Sequence, residues 1–152
     1  MRDEEMNIFL VEDNDLDVEL FMRGIERSGE PVTITRARDG MEALEMLTGE
    51  QVDPKLRKPF VILLDINMPR MNGHEFLAAI RAQDDVKPAS VFVFTTSDSR
   101  ADIARAYSNH ANGYIVKPTG LSGLGEVVQM LRKFWTLCEH PVRLAVQRHN
   151  AA

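Results

Sequence analysis

The chain has 152 residues, of which 44% are hydrophobic and 27% are charged, and its formal net charge is −5 at pH 7. This length fits one globular domain, and the composition excludes the disordered, collagen-like and fibrous classes of protein. The negative charge argues against nucleic-acid binding and the short apolar runs argue against a membrane span, so we expect a cytoplasmic protein.

Strand-sized and helix-sized segments alternate along the chain. Five short runs rich in β-branched and aromatic residues predict strands at residues 6–11, 32–35, 60–64, 91–94 and 114–116. A segment with helical periodicity follows each strand, at residues 16–26, 41–47, 75–81, 101–107 and 121–138. Strands that alternate with helices pair in parallel through right-handed crossovers, so we expect a doubly wound, three-layer α/β fold.

Two of these helices have a capping signal at their predicted starts. Asp39 is followed three positions later by Glu42, and Asn72 by Glu75. In a capping box the first side chain accepts a backbone N–H from the third helical residue, whose carboxylate accepts one in return. Both pairs therefore agree with the predicted starts of the second and third helices.

Acidic residues follow two of the predicted strands. Glu12 and Asp13 come after the first strand, and Asp65 comes directly after the third. Sites in open parallel sheets form beyond the carboxyl ends of the strands, so these carboxylates should converge. At a separation of ~4 Å they would repel by roughly 4 kcal/mol per pair, which favours an oxygen-bound Mg²⁺ between them. The alternative is that Asp13 or Asn14 is simply the N-cap of the first helix, with no metal at all.

Two more polar residues end the later strands. Thr95 closes the fourth strand and offers a hydroxyl donor, while Lys117 follows the fifth strand and offers a compact positive charge. A carboxylate nucleophile, a metal, a cation and a hydroxyl donor together suit the formation of an aspartyl phosphate.

Five separated segments within residues 6–138 hold these residues. They are Leu10-Val11-Glu12-Asp13, Leu64-Asp65-Ile66-Asn67-Met68-Pro69, Met71-Asn72-Gly73, Thr95-Thr96, and Tyr114-Ile115-Val116-Lys117-Pro118. In order and spacing they resemble the receiver domain of bacterial two-component response regulators. The resemblance implies a flavodoxin-like (βα)5 fold with strand order 2-1-3-4-5, and a phosphoacceptor protein rather than an enzyme. It also implies a sensor histidine kinase as partner.

The same resemblance implies a metal site. Asp13 and Asp65 would bind Mg²⁺ through their carboxylates, and Asn67 through its backbone carbonyl. Glu12 would hold a metal-bound water.

It further implies a phosphoryl site and a switch. Asp65 would be the phosphoacceptor, and Thr95 and Lys117 would bind the phosphoryl group with a further contact from the Thr96 backbone amide. Tyr114 matches the aromatic residue that turns inward as Thr95 moves toward the phosphate.

The predicted last helix suggests an output surface. We take residues 1–140 as the receiver domain and residues 141–152 as a tail, with no separate effector domain, so the output would pass to an unidentified downstream protein. Met130, Phe134 and Leu137 form a second apolar stripe on this helix. Receiver domains commonly dimerise through helix 4, strand 5 and helix 5, so we expect a homodimer through this stripe. Alternatively, the tail folds back and covers it.

A narrower resemblance concerns the upstream partner. The long last helix with Lys133-Phe134-Trp135 and the loop at residues 49–59 resemble the small response regulators that pair with bacterial phytochromes. This resemblance implies a light-regulated histidine kinase, a bacteriophytochrome, as the partner.

Two other functions compete with this one. Asp13-Asn14-Asp15 resembles the nucleophile motif of haloacid-dehalogenase-type phosphatases, which would make Asp13 and Asp15 the reactive pair. That motif has threonine or valine two positions after its second aspartate, where this chain has Asp17. It also gives Asp65 no role. The third possibility is an interaction module on the same fold that works without phosphorylation.

The remaining chemically active residues receive no functional role from the sequence. The four histidines, His74, His110, His140 and His149, lack metal-binding spacing and are assigned solvated or structural positions. Cys138 permits no internal disulfide, and we expect it to be a small buried residue at the end of an amphipathic helix.

Overall fold

The computed structural model describes residues 5–49, 53–57 and 59–141, and the predicted tail beyond residue 141 lies outside them. Five strands and five α-helices alternate within these residues, with a short 3-10 helix at Pro54–Arg57. They are β1 (Met6–Val11), α1 (Asp15–Ser28), β2 (Val32–Ala37), α2 (Gly40–Thr48), β3 (Val61–Leu64), α3 (Gly73–Arg81), β4 (Ser90–Thr95), α4 (Arg100–Ser108), β5 (Gly113–Val116) and α5 (Leu121–Leu137). Each predicted element is confirmed, with its ends within two residues of the prediction.

The strands form one parallel sheet in the order β2-β1-β3-β4-β5, which confirms the expected topology. The last residue of β1 pairs with the last residue of β3, so Glu12 and Asp65 leave the sheet side by side. The last residues of β4 and β5 are paired in the same way, and the Lys117 N–H donates to the Thr95 carbonyl at 2.7 Å. The register therefore brings all four residues to one edge.

The sheet separates two apolar layers, as a doubly wound fold requires. Alternate side chains of β1 face opposite sides: Phe9 lies in one layer and Ile8 in the other. Helices α2, α3 and α4 cover the first layer, and α1 and α5 cover the second, where Trp135 is fully buried. None of the helices in the described residues is long and apolar enough to cross a membrane.

The two predicted capping boxes differ in the structure. At α3 the box is complete, because the Asn72 side chain accepts from the Glu75 N–H and the Glu75 carboxylate accepts from the Asn72 N–H. At α2 the Asp39 side chain accepts from the Glu42 N–H, but the Glu42 carboxylate accepts from the N–H of Arg38 instead. Both helices still begin with a side-chain cap, as predicted.

The end of α5 differs from the sequence-based expectation. Cys138 is exposed rather than buried. The helix ends at Leu137 and the backbone of Cys138 is extended, so its side chain no longer follows the apolar face of α5.

Candidate functional site

Three carboxylates converge at the carboxyl edge of the sheet. Single oxygen atoms of Glu12, Asp13 and Asp65 all lie within 4.8 Å of one another. The Glu12 N–H donates to the Ala37 carbonyl and the Asp65 N–H to the Val11 carbonyl, both at 3.0 Å, so hydrogen bonds to the sheet fix the two backbones. Glu12 and Asp65 are buried, whereas Asp13 is exposed. The predicted convergence of the acids is therefore confirmed.

This cluster concentrates negative charge in a poorly solvated place. Burial raises the pKa of Glu12 to about 7, a hydrogen bond from Lys117 opposes the rise, and the charge of Asp65 adds to it. A carboxyl group whose pKa is raised in this way is stabilised by any cation that replaces its proton. Oxygen ligands alone, with Asp13 open to solvent, suit a hard divalent cation such as Mg²⁺.

Lys117 supplies a half-buried positive charge beside the acids. Its Nζ atom contacts a Glu12 carboxylate oxygen and lies 2.8 Å from Asp17 Oδ2 and 3.9 Å from Asp65 Oδ1. Burial lowers the pKa of Lys117, but its hydrogen bonds to Asp17 and Glu12 outweigh burial, and the net shift is upward. The lysine is therefore charged at neutral pH.

The sequence did not identify Asp17 as part of this site. Asp17 lies in the first turn of α1, four residues after Asp13. The available signal was the position of Asp17 in the first turn of α1, because the helix begins directly after the loop that carries Glu12 and Asp13. Asn14 caps α1 through its side chain, which frees Asp13 from the capping role.

Thr95 ends β4 at the same edge and is fully buried. Its Oγ1 atom accepts a long hydrogen bond of 3.4 Å from the Ser97 N–H. Thr96 and Asn67 are exposed in the loops that follow β4 and β3. Both lie at the sheet edge that holds the acids, and their proposed backbone contacts remain predictions.

The loop after Asp65 is fixed at two points. The Gly73 N–H donates to the Ile66 carbonyl at 2.8 Å, and a Cβ atom at Gly73 would lie only 2.2 Å from the Asp65 carbonyl oxygen. Arg70 adopts a left-handed backbone with φ of 63° and its guanidinium binds both carboxylate oxygens of Asp39, at 2.7 and 3.0 Å. The chain between Asp65 and α3 is thus tied to the start of α2.

The alternative phosphatase nucleophile pair is not supported by the geometry. Asp15 is exposed and its Oδ1 atom binds Arg36 at 2.7 Å and Arg38 at 3.2 Å. The same Arg36 side chain donates to the backbone carbonyls of Glu12 and Asp13, at 3.1 and 3.3 Å. Asp15 therefore faces Arg36 of β2 and Arg38 just after it, and does not belong to the acidic cluster found in the described part of the chain.

Tyr114, the predicted switch residue, is half-buried on β5. Its hydroxyl donates to the Ser97 carbonyl at 2.8 Å. Burial raises the pKa of Tyr114, so the phenol is protonated at neutral pH and able to donate. This hydrogen bond ties the side chain of Tyr114 to the loop between β4 and α4.

The predicted interface stripe is only partly free. Met130 is 40% exposed and Leu137 is 77% exposed, but the Phe134 ring lies edge-on to Phe92 with centroids 5.1 Å apart. A groove of about 290 Å³ lies next to Met130, between β5 and α5. Two of the three stripe residues are thus available for contact, and the third also packs against the sheet.

Comparisons with known proteins give consistent matches. The family model for the response regulator receiver domain matches residues 8–129. The chain is 38% identical over 128 residues to the probable methanogenesis regulatory protein FilR2 of Methanothrix harundinacea, covering 84% of this chain and 82% of that protein. The phosphorylated cyanobacterial phytochrome response regulator RcpA is 35% identical with a TM-score of 0.76, over 91% of this chain and 100% of that structure. The Mn²⁺-bound response regulator Rcp1 is 33% identical with a TM-score of 0.73, over 90% and 99%.

Proposed function

The chain belongs to the response regulator receiver domain family, and from this premise we propose that it is a stand-alone receiver that accepts a phosphoryl group on Asp65 from a sensor histidine kinase. The observation that carries the proposal is the convergence of Asp65 with Glu12, Asp13 and the charged Lys117 at one edge of the sheet. In this proposal the protein acts in the cytoplasm as a phosphoacceptor, taking one phosphoryl group per chain from a kinase or a small donor.

The proposed chemistry is an in-line transfer to the carboxylate. An Asp65 oxygen attacks the phosphorus, the new P–O bond forms as the donor's P–N bond breaks, and the electron pair leaves with the histidine nitrogen. The Lys117 ammonium, 3.9 Å from Asp65, offsets the negative charge on the phosphoryl oxygens. The Thr95 hydroxyl and the Thr96 amide donate hydrogen bonds to the same oxygens.

We propose Mg²⁺ as the cofactor, held by the carboxylates of Asp13 and Asp65 and the backbone carbonyl of Asn67. Glu12 would accept a hydrogen bond from a water bound to the ion. When bound, the ion supplies positive charge that neutralises the incoming phosphoryl group. The oxygen-only cluster and the raised pKa of Glu12 support this assignment.

Phosphorylation then acts as a population shift. The added group carries about −1.5 to −2 charges and draws the Thr95 hydroxyl toward Asp65, while Tyr114 turns into the space that opens. If the switched state makes up 1 part in 100 at rest, reversing that ratio requires the phosphoryl group to stabilise the switched state over the resting state by about 5.5 kcal/mol. Several charge-assisted hydrogen bonds supply this difference.

The output surface in this proposal is the face formed by α4, β5 and α5. The exposed side chains of Met130 and Leu137 and the groove beside Met130 support a homodimer through this face. In the alternative, the tail covers the same stripe; beyond Pro141 it lies outside the described residues.

For the upstream partner we propose a bacteriophytochrome histidine kinase. The likeness to the phytochrome response regulator RcpA supports it. The likeness to FilR2, a probable methanogenesis regulatory protein, favours a different input.

Labelling with acetyl phosphate tests the central step. With Mg²⁺ present we expect one phosphoryl group per wild-type chain, none on Asp65→Asn, and normal labelling of the control Asp15→Asn. Labelling of Asp65→Asn at the wild-type level would overturn the proposal. Many turnovers on a phosphate ester that are lost in Asp15→Asn would instead identify the phosphatase, and partner binding indifferent to Asp65 would identify the phosphorylation-independent module.

A further inference from the structure

A chain of polar side chains links α3 to the loop between β4 and α4, away from the acidic cluster. His74, in the first turn of α3, is buried, and its Nε2 atom lies 3.0 Å from Asp102 Oδ1. Asp102 lies in the first turn of α4, and its other oxygen accepts a hydrogen bond of 2.6 Å from Ser97 Oγ. The Asp102 carboxylate thus connects α3, through His74, to the loop between β4 and α4, through Ser97.

Ser97 is also the residue that contacts both predicted switch side chains. Its carbonyl accepts the Tyr114 hydroxyl at 2.8 Å, and its N–H donates to Thr95 Oγ1 at 3.4 Å. The position of Ser97 therefore sets where Tyr114 rests and where the Thr95 hydroxyl points.

Asp102 is well fixed for its role in this chain. Its N–H donates to Ser99 Oγ at 3.1 Å, which caps α4. The hydrogen bond from Ser97, and then that from His74, lower the pKa of Asp102, so the carboxylate is charged at neutral pH. A charged acceptor beside a buried imidazole makes a stronger hydrogen bond than a neutral pair in water.

We propose that His74 is a positioning residue for the phosphorylation switch, holding the loop between β4 and α4 in its resting place through Asp102 and Ser97. This inference rests on the proposed function. Movement of Thr95 toward Asp65 breaks the hydrogen bond from the Ser97 N–H to Thr95 Oγ1. An inward turn of Tyr114 breaks the hydrogen bond from its hydroxyl to the Ser97 carbonyl. The chain through His74 opposes both movements, so its loss favours the switched arrangement.

The test compares two replacements of His74. His74→Leu removes the donor and keeps an apolar side chain of similar bulk, whereas His74→Gln keeps an amide nitrogen close to the position of Nε2. A merely structural role for the ring would affect both variants alike. Asp102→Asn, at a half-exposed position, is the second variant: the amide loses the charge and one of the two acceptor oxygens, so it weakens the same chain without altering the core.

Two readouts follow the switch directly. The chain has two tyrosines, so ¹⁹F NMR of 3-fluorotyrosine-labelled protein gives two resonances, and Tyr107→Phe assigns that of Tyr114. The second readout is the apparent affinity for beryllium fluoride with Mg²⁺, a mimic of the phosphoryl group. We expect His74→Leu and Asp102→Asn to move the Tyr114 resonance before any addition and to bind beryllium fluoride about fivefold more tightly, the effect of one hydrogen bond. His74→Gln should resemble the wild type.

The outcomes separate this inference from the proposed function. A Tyr114 resonance unchanged in both His74→Leu and Asp102→Asn, or a His74→Gln variant identical to His74→Leu, overturns the positioning role. If the wild-type protein takes neither beryllium fluoride nor acetyl phosphate, the proposed function fails, while the Tyr114 resonance of the unmodified variants still decides whether His74 holds the loop. If His74→Leu does not fold, Asp102→Asn alone decides it.

Discussion

The Nζ atom of Lys117 lies 2.8 Å from the carboxylate of Asp17, which is 1.1 Å closer than its 3.9 Å separation from Asp65. In the unphosphorylated protein, the lysine is therefore drawn toward α1 as well as toward the phosphoacceptor. Asp17 also adds a negative charge next to the predicted metal site.

Replacement of Asp17 should weaken Mg²⁺ binding. Asp17→Asn removes that negative charge and leaves the Lys117 charge to be shared by Glu12 and Asp65, so we expect roughly threefold lower affinity, or ~0.7 kcal/mol. Isothermal titration with Mg²⁺ measures the change. Glu19→Gln, an exposed charge removal on the same helix, is the matched control and should leave the affinity unchanged. Equal affinities of Asp17→Asn and wild type would contradict the prediction.

The raised pKa of Glu12 predicts an unusual pH dependence of stability. The folded chain holds the Glu12 proton up to about pH 7, whereas the unfolded chain releases it near 4.5. The native state therefore binds more protons in this window, and the free energy of unfolding falls as pH rises from 4.5 to 7, by at most ~3 kcal/mol. The carboxyls of Asp39 and Asp102, whose pKa values are lowered, lose their stabilising effect only below about pH 4, outside this window.

Urea unfolding in a metal chelator tests this dependence. The difference in unfolding free energy between wild type and Glu12→Gln should change across pH 4.5 to 7, because the variant has no proton to lose there. The difference cancels the contribution of other groups that titrate in the same range. Parallel pH curves for the two proteins would show that Glu12 does not titrate as described.

The close approach of Gly73 to Asp65 predicts a site-specific effect of alanine. Gly73→Ala places a methyl group against the Asp65 carbonyl oxygen, which must displace the phosphoacceptor backbone at a cost of ~1–3 kcal/mol in stability and weaken Mg²⁺ binding. The matched control is Gly125→Ala in α5, where a Cβ atom meets nothing within 4 Å. That replacement should stabilise the protein by up to ~1 kcal/mol. Thermal unfolding with and without Mg²⁺ distinguishes the two, and a stabilising Gly73→Ala would refute the steric argument.

Arg81 should be the most stabilising arginine in the described residues. Its half-buried guanidinium donates to the backbone carbonyls of Lys87, Ala89, Asn109 and His110. Arg81→Ala leaves these carbonyls without their donor and should cost ~3 kcal/mol. Arg23→Ala breaks only an exposed pair with Glu19 within α1 and should cost at most ~0.5 kcal/mol. Similar losses for both variants in urea unfolding would count against the role given to Arg81.

Leu137 offers a direct test of the proposed dimer. It is the most exposed apolar residue of the stripe, so Leu137→Glu should dissociate the dimer without disturbing the core. Phe134 is a poorer choice because its ring packs against Phe92. Leu16→Glu on α1, at another exposed apolar position, is the control. Sedimentation with and without beryllium fluoride gives the oligomeric state, and a wild-type protein that is monomeric in both conditions rules out this interface.

The sequence contained enough to predict the fold and the centre of the site. Short apolar runs predict the strands, because strands of a parallel sheet are buried on both faces. Apolar residues at helical spacing predict the helices, because each helix packs one face on the sheet. The acids at Glu12, Asp13 and Asp65 could be brought together from the rule that parallel strands end at one edge. These predictions depend on backbone direction and register, which local patterns determine.

Contacts between side chains of distant elements could not be predicted in this way. The bond between Asp17 and Lys117 depends on how α1 is rotated relative to β5, and the bond between His74 and Asp102 on how α3 approaches α4. The packing of Phe134 against Phe92 depends on how α5 is rotated over the sheet, and the exposure of Cys138 depends on where α5 ends. None of these contacts produces a periodic pattern that can be recognised in a single sequence.

The burial of Trp135 makes intrinsic fluorescence a selective probe of this protein. It is the sole tryptophan of the chain and packs in the layer of α1 and α5, close to the C-terminal end of α5. Helices that follow parallel strands run back toward the opposite sheet edge, so the indole lies at the far end of the domain from the acids. Its emission should therefore report unfolding of that layer while remaining insensitive to ions or phosphate mimics added at the acidic edge.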